Sequence, residues 1–242
     1  MNQTPVPTFA ILGHPNEGKS SVVSTLAEDD SVRISPVPGE TRQCRAYPVT
    51  VDGREIIRFV DTPGFQQPRR TLDWMTAYAG PDLQMPADFI AEHRHDPDFS
   101  DECELFGPLA DGAGIIFVVD GTRPVRRIDR MEMEILRLTG RPRMAVINTK
   151  EKNRPEFLET WKSEARKNFN TIRIFDAHRA TYAERIDLLE SLKNIDPDWQ
   201  PQLETVISSF KQDWQQRLAE TAAIVIDLLS DAARHTVQKC GR

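Results

Sequence analysis

One short glycine-containing segment constrains the fold of this chain more than any other feature. Residues 13–20 read GHPNEGKS, follow an apolar run at residues 9–12 and precede a stretch of helical periodicity that reaches Ala27. Between a buried strand and a helix, such a loop turns its backbone N–H groups and the positive end of the helix toward an anion. The pattern G-x-x-x-x-G-K-[ST] in this setting predicts a phosphate-binding loop in an α/β fold; a glycine turn before a helix is the simpler alternative.

The residue types of this loop suit the binding of a nucleoside triphosphate with a metal ion. Lys19 would reach the β- and γ-phosphates, and the Ser20 hydroxyl would bind Mg²⁺. The residues expected to contact the nucleotide in this segment are His14, Pro15, Asn16, Glu17, Gly18, Lys19, Ser20 and Ser21.

Two later segments could complete the same site. Residues 61–64 read DTPG and end an apolar run, so Asp61 could hold the Mg²⁺ shell from the opposite side while the Gly64 N–H contacts a γ-phosphate. Thr41 lies in the proline- and glycine-rich stretch 29–44, and its hydroxyl could also reach Mg²⁺. The alternatives are a plain turn at residues 61–64 and the start of a strand at Thr41 and Arg42.

Apolar runs alternate with stretches of helical period, which is typical of a mostly parallel sheet between helices. Asp52-Gly53 predicts a tight antiparallel hairpin between two of the strands. Strands are predicted at residues 9–12, 45–51, 55–61, 114–120, 144–148 and 171–176, and helices at 18–27, 126–138, 155–169, 181–192 and from 202 onward as one or two helices. The predicted fold is a P-loop NTPase three-layer α/β sandwich with one antiparallel edge strand, followed by a C-terminal helical extension.

The chain is predicted to divide into a nucleotide-binding domain at residues 1–195 and a helical extension at 196–242. Segment 66–111, rich in proline and acidic residues, is predicted to be a long excursion outside the core, with short helical pieces at about residues 72–79 and 101–109. In the helix at 126–138, one face is predicted to carry Ile128, Met131, Ile135 and Leu138. The apolar stripe of the extension needs a neighbour, which could be its own domain, a second copy or a downstream segment.

The net charge of −6 is concentrated in segment 66–111, whose ten acids and three bases give −7, so the remaining residues sum to +1. This segment therefore reads as an enlarged switch region or a surface for a partner. It also contains His93, His95, Asp96, Asp98, Asp101, Glu102 and Cys103. Their spacing fits no tight metal-binding template, and a solvated acidic face is the preferred interpretation.

Cysteine spacing and hydropathy exclude several classes of protein. The three cysteines are far apart, which argues against a disulfide framework and a cysteine zinc site, and no apolar run is long enough to span a membrane. These features favour a cytoplasmic protein.

The three motifs, in this order and spacing, resemble the Era/TrmE/Der-like branch of the bacterial small GTPases, whose loops read G-x-P-N-x-G-K-S, P-G-T-T-R and D-T-P-G. The resemblance implies GTP and GDP as ligands, slow Mg²⁺-dependent hydrolysis, and residues 29–44 and 65–111 as switches. It implies catalytic roles for Asn16, Lys19, Thr41 and Gly64. Phe65 stands where Ras-like proteins carry the catalytic glutamine. Asn16 matches an asparagine that helps hold K⁺ in potassium-stimulated members, the alternative being that it only suits the loop backbone.

The base-recognition motifs depart from the pattern of this branch. Where N-K-x-D is usual, residues 148–151 read NTKE, and where Ser-Ala-Lys is usual, residues 176–178 read DAH. The base contacts implied by the resemblance are Asn148, Lys150, Glu151 and Ala177, with weakened preference for guanine. This pattern resembles a subgroup in which the GTPase domain precedes a region of unknown function.

The sequence therefore predicts a GTP-hydrolysing switch, with a nucleotide-binding scaffold that hydrolyses little as the alternative. An unidentified protein partner is expected at the switch regions or the C-terminal helix, and a homodimer is one form of such a partner.

Overall fold

The structure, a computed structural model, describes residues 6–14, 17–27, 43–149, 155–177 and 179–239. The strands in this part of the chain are β1 (Thr8–Leu12), β2 (Arg45–Val51), β3 (Arg54–Asp61), β4 (Gly114–Asp120), β5 (Arg143–Asn148) and β6 (Thr171–Phe175). The α-helices are α1 (Lys19–Ala27), α2 (Pro68–Ala77), α3 (Met85–His93), α4 (Ser100–Ala110), α5 (Arg127–Leu138), α6 (Pro155–Ala165), α7 (Tyr182–Leu192) and α8 (Gln200–Lys239).

The strands form one sheet in the order β2-β3-β1-β4-β5-β6. β2 is antiparallel to β3, and the other neighbouring strands are parallel. Asp52 and Gly53 form the β2–β3 turn with φ of 51° and 73°, the left-handed conformation that a two-residue hairpin requires. The predicted mostly parallel sheet with one antiparallel edge strand is confirmed.

Helices cover both faces of the sheet, which confirms the three-layer architecture. Helices α1 and α7 and the start of α8 contribute to the core on one face, while α2 to α6 contribute to the core on the other. The central strands are therefore buried on both sides, which explains the continuous apolar run at residues 115–119. The carboxyl ends of the parallel strands meet at one edge, where the loops after β1, β3, β4, β5 and β6 come together.

Segment 66–111 is part of the core, so the prediction that it lies outside is wrong. Phe89 of α3 and Leu105, Phe106 and Leu109 of α4 are all fully buried. The acidic and proline residues dominate the composition, but the apolar residues recur at helical spacing and cover one face of the sheet. The two short helical pieces predicted in this segment correspond to α2 and α4, and their apolar residues belong to the core.

Helix α8 begins on the domain and continues beyond it. Leu203, Val206 and Ile207 lie in the sheet core, whereas Leu218 and Leu228 are 52% and 65% exposed. The C-terminal stripe therefore packs partly against its own domain, as one of the predicted alternatives held. Within the described residues, no helix combines the length and the apolar character needed to cross a membrane.

Candidate nucleotide-binding site

The loop after β1 has the backbone geometry of a phosphate cradle at the two positions occupied by glycine. Gly13 has φ of 145°, and a Cβ there would lie 2.2 Å from the Val118 carbonyl oxygen of β4. Gly18 has φ of 98° immediately before α1. Any other residue would strain the loop at both positions, because L side chains rarely adopt these conformations.

Lys19 points back into this loop. Its Nζ donates to the carbonyl oxygens of Gly13 at 3.0 Å and His14 at 3.3 Å, and the residue is buried. Burial lowers the pKa of the Lys19 ammonium, and the nearby carboxylates of Asp61, Glu132 and Glu17 oppose that change. The result is a cation fixed at the centre of the loop, where it can bind a phosphate oxygen.

The loop after β3 reaches the start of α1. Ser20 Oγ donates to Asp61 Oδ2 at 2.7 Å, so the two predicted Mg²⁺ ligands lie side by side. Thr62 Oγ1 donates to the Ile11 carbonyl oxygen at 2.8 Å and fixes the DTPG segment to β1. Gly64 follows in this buried segment, and Ser21 accepts a hydrogen bond from Thr25 Oγ1 through its backbone carbonyl.

Phe65 turns away from the site. Its side chain is 1% exposed and meets the ring of Phe106 of α4 with 6.3 Å between centroids. The position at which Ras-like proteins carry glutamine is therefore anchored in the core.

Asn148 joins three loops behind the site. Its buried side chain donates from Nδ2 to the Glu17 carbonyl oxygen at 3.3 Å and accepts from the Ala177 N–H at 3.4 Å. Thr25 Oγ1 donates to the Ala177 carbonyl oxygen at 2.6 Å. These contacts hold the phosphate loop against the loops that follow β5 and β6.

The predicted site residues Pro15, Asn16, Thr41, Lys150 and Glu151 lie outside the described residues. Their roles stay predictions, as does the potassium site at Asn16.

An ionic network behind the loop was not predicted from the sequence. The Glu17 carboxylate is paired with Arg123 of the β4–α5 loop, which also binds Asp129 of α5. His14 Nδ1 lies 3.1 Å from Glu132 Oε1, and burial raises the pKa of the Glu132 carboxyl while His14 opposes the rise.

The prediction for the apolar face of α5 did not include the two acids of this network, Asp129 and Glu132, which are buried. Ile135 is fully buried as expected, whereas Ile128, Met131 and Leu138 are only half-buried. Asp129 and Glu132 turn inward because Arg123 and His14 supply their partners.

Helix α4 contacts the ends of both predicted switch segments. Glu102 Oε1 accepts hydrogen bonds from the backbone N–H groups of Gln66 at 2.7 Å and Gln67 at 2.5 Å. Glu104 Oε1 accepts from the Cys44 N–H at 2.7 Å. Burial and the neighbouring Glu104 raise the pKa of the Cys44 thiol to about 12. The sequence placed Glu102 only in the acidic cluster weighed as a metal site and did not single out Glu104, because both lie in a run of acids.

The acidic and histidine cluster of segment 66–111 is not a metal centre in the structure. In the part of the chain that is described, no group of three or more His, Cys, Asp or Glu residues could hold a metal ion. His93 instead packs between the rings of Phe89 and Phe99, with centroid distances of 4.5 and 4.4 Å.

Comparisons with known proteins agree with this geometry. Residues 8–149, more than half of the chain, match the family described as 50S ribosome-binding GTPase, and residues 162–241 match a domain of unknown function, DUF3482. The tRNA modification GTPase MnmE of Geobacillus kaustophilus (strain HTA426) is 30% identical over 134 residues, which are 54% of this chain and 28% of that protein. GTPase Der of Thermotoga sp. (strain RQ2) is 25% identical over 197 residues, which are 72% of this chain and 39% of Der.

The chain thus spans well under half the length of these curated relatives. Among solved structures, Era in complex with MgGDPNP and nucleotides 1506–1542 of 16S ribosomal RNA has a TM-score of 0.50 and 19% identity, over 80% of this chain and 57% of that one. That likeness concerns the fold. Because the family match contains the phosphate loop, Asp61 and Gly64, the chain belongs to the 50S ribosome-binding GTPase family, in the Era/TrmE/Der-like group of GTP-binding P-loop proteins.

Proposed function

We propose that this chain binds GTP and GDP with Mg²⁺, hydrolyses GTP slowly and acts as a molecular switch. The observation that carries the proposal is the 2.7 Å hydrogen bond between Ser20 Oγ and Asp61 Oδ2 beside the buried ammonium of Lys19. It holds the phosphate loop and the loop after β3 where one nucleotide could contact both. Membership of a GTPase family supports the same function.

The donor set suits Mg²⁺, because a hydroxyl and a carboxylate are hard oxygen ligands. Ser20 and Asp61 would hold the ion, and Thr41 is the third predicted ligand. When bound, Mg²⁺ supplies charge neutralisation on phosphate oxygens. Lys19 adds a fixed positive charge in the loop, and the Gly64 N–H would bind the γ-phosphate and so distinguish GTP from GDP.

Slow hydrolysis follows from the position of Phe65. A buried aromatic ring packed on Phe106 cannot orient an attacking water molecule. We propose that a K⁺ ion held with the help of Asn16 supplies the missing charge stabilisation. The second candidate function is a nucleotide-binding scaffold with little hydrolysis. The buried Phe65 favours it if K⁺ does not stimulate GTP hydrolysis.

The switch function is supported by α4. Its Glu102 and Glu104 bind the backbone at Gln66 and Cys44, so this one helix is attached to the end of each predicted switch segment. α4 itself belongs to segment 66–111, so a rearrangement of segment 29–44 or of the residues around Gln66 near the nucleotide would move α4 or break these bonds. The acidic surface of segment 66–111 would carry that change to a protein partner.

The exposed half of α8 is the second surface that we propose for protein contact, with a second copy of the chain as its occupant. Leu218, Ile224, Val225 and Leu228 are each about half exposed or more, and the apolar stripe of an amphipathic helix is stabilised when another surface covers it. Light scattering of the wild type and of Leu228→Glu tests this. A dimer that the substitution dissociates supports the assignment, and a monomeric wild type contradicts it.

GTP turnover in Mg²⁺ buffer, with K⁺ or Na⁺ as the monovalent salt, tests the proposed activity. The wild type should turn over slowly and faster in K⁺, and Asn16→Ala should lose the stimulation while it still binds nucleotide. Nucleotide binding without turnover in either salt would favour the scaffold, and absence of binding would refute both functions.

A further inference from the structure

Glu17 places a carboxylate inside the phosphate-binding loop. Its side chain is 5% exposed, accepts a short hydrogen bond from the Asp120 N–H and faces the guanidinium of Arg123, whose Nε lies 3.0 Å from Oε1. The backbone carbonyl of the same residue binds Asn148 Nδ2. Glu17 is thus held by both the β4–α5 loop and β5.

An acid at this place is unfavourable for binding a polyphosphate. The loop exists to concentrate positive potential, and a nearby negative charge in a poorly solvated site opposes an incoming anion. The carboxylate also attracts the ammonium of Lys19, which is the group expected to bind phosphate. A compensating cation is therefore required for the loop to function.

Arg123 is that cation. Its guanidinium also forms a bidentate ion pair with Asp129, with Nη1–Oδ2 at 2.7 Å and Nη2–Oδ1 at 2.8 Å. Trp161 of α6 also holds Arg123 in place. Its Nε1 donates to the Arg123 carbonyl oxygen at 2.8 Å, and the centroid of its ring lies 5.2 Å from the guanidinium carbon. The planar fork of arginine can bind both acids at once.

The neighbouring Arg126 does not replace Arg123. Its guanidinium is 45% exposed and approaches Glu17 and Asp129 at 3.5 and 3.4 Å. Without Arg123, the two buried carboxylates would keep only this loosely held guanidinium as an ion-pair partner common to both, and removing one partner of a buried ion pair is costly because the remaining charge is poorly compensated.

We propose that Arg123 is a positioning residue for nucleotide binding: it neutralises Glu17 and holds it away from the phosphates, so that the loop accepts a triphosphate. The inference rests on the proposed GTP-binding function. It requires that loss of Arg123 weaken binding of a triphosphate more than that of a diphosphate, because the triphosphate carries more negative charge. It also requires that neutralising Glu17 reverse the defect.

The test measures dissociation constants of GDP and a non-hydrolysable GTP analogue, with Mg²⁺, for wild type, Arg123→Met, Glu17→Gln/Arg123→Met and the control Arg130→Met. Arg130 also lies on α5 in an ion pair, with Glu164, but is half-exposed. Arg123→Met should weaken the analogue about tenfold or more, and GDP less. In the double variant, Gln can still accept from the Asp120 N–H without a charge, so most of the affinity should return. The control should bind as wild type does.

Several outcomes would overturn the inference. If the double variant binds as weakly as Arg123→Met, or if both nucleotides lose affinity equally, Arg123 serves only the fold. Should Arg123→Met fail to fold, Arg123→Lys decides, because it keeps the positive charge and loses the planar fork. If Arg123→Lys keeps the wild-type ratio of affinities for the GTP analogue and GDP, neutralisation of Glu17 is supported. If that ratio is lost, the inference is contradicted. A wild type that binds neither nucleotide would refute the proposed function itself, whereas normal binding by Arg123→Met refutes this inference alone.

Discussion

Replacement of Phe65 by glutamine tests whether this position can be given the residue that orients water in Ras-like proteins. The ring is 1% exposed and packs edge-to-face on Phe106, so Phe65→Gln removes buried aromatic surface and places an amide in an apolar core. Loss of the ring and burial of the amide together should lower the free energy of unfolding by about 3–5 kcal/mol. Because the side chain points into the core, GTP turnover should not rise.

Urea unfolding gives the stability change, and turnover is measured at a temperature where the variant is folded. Phe65→Leu is the matched control, since it keeps an apolar side chain and should cost only about 1–2 kcal/mol. A Phe65→Gln variant that is as stable as the control, or that hydrolyses GTP faster than wild type, would show that the side chain reaches the site and refute the reasoning.

Three further predictions concern single side chains. Lys19→Met should weaken GTP and GDP about hundredfold or more in a binding titration, because it removes the charge-assisted bonds to phosphate; unchanged affinity would refute the assigned loop. The Cys44 thiol, with its pKa raised to about 12, should be alkylated at about pH 8 at least a hundredfold more slowly than a free cysteine; rapid labelling would contradict its bond to Glu104. Burial raises the pKa of Glu102 above its ordinary 4.5, so its carboxyl favours the fold most at low pH. The wild type should therefore lose stability relative to Glu102→Gln as the pH rises from 4.5 through the raised value, and a constant difference would refute this.

Local sequence rules predicted the parts of the fold that depend on local signals. Asp52-Gly53 predicted the hairpin, and the apolar residues at 114–120 predicted a strand, which the structure shows to be buried on both faces. Segment 66–111 was misplaced because its charged residues outnumber the buried ones, and only the tertiary structure shows that Phe89 and Phe106 share one core. The course of α8 depends on where the domain surface ends, which periodicity does not encode.

In the candidate site too, residues that belong to local motifs were predicted, and residues that depend on distant partners were not. Gly13, Lys19 and Asp61 belong to two motifs in which spacing reflects chemistry, and the structure brings these two segments together. Arg123 binds Glu17, which is 106 residues away in the sequence. Glu102 binds the backbone of Gln66 and Gln67, which are 36 and 35 residues away. A buried charge of this kind has no local signature, because its partner is set by the packing of separate elements.

The central claim is that this chain is a GTP-binding switch, and a nucleotide-affinity panel tests it most directly. Titrations with GTP, GDP and ATP would be run in Mg²⁺, in EDTA, and with K⁺ or Na⁺. We predict that GTP and GDP bind more tightly than ATP, that EDTA weakens the binding of GTP more than that of GDP, and that Lys19→Met weakens the binding of both guanine nucleotides about a hundredfold or more. Equal affinity for the three nucleotides, or no dependence on Mg²⁺, would contradict the account.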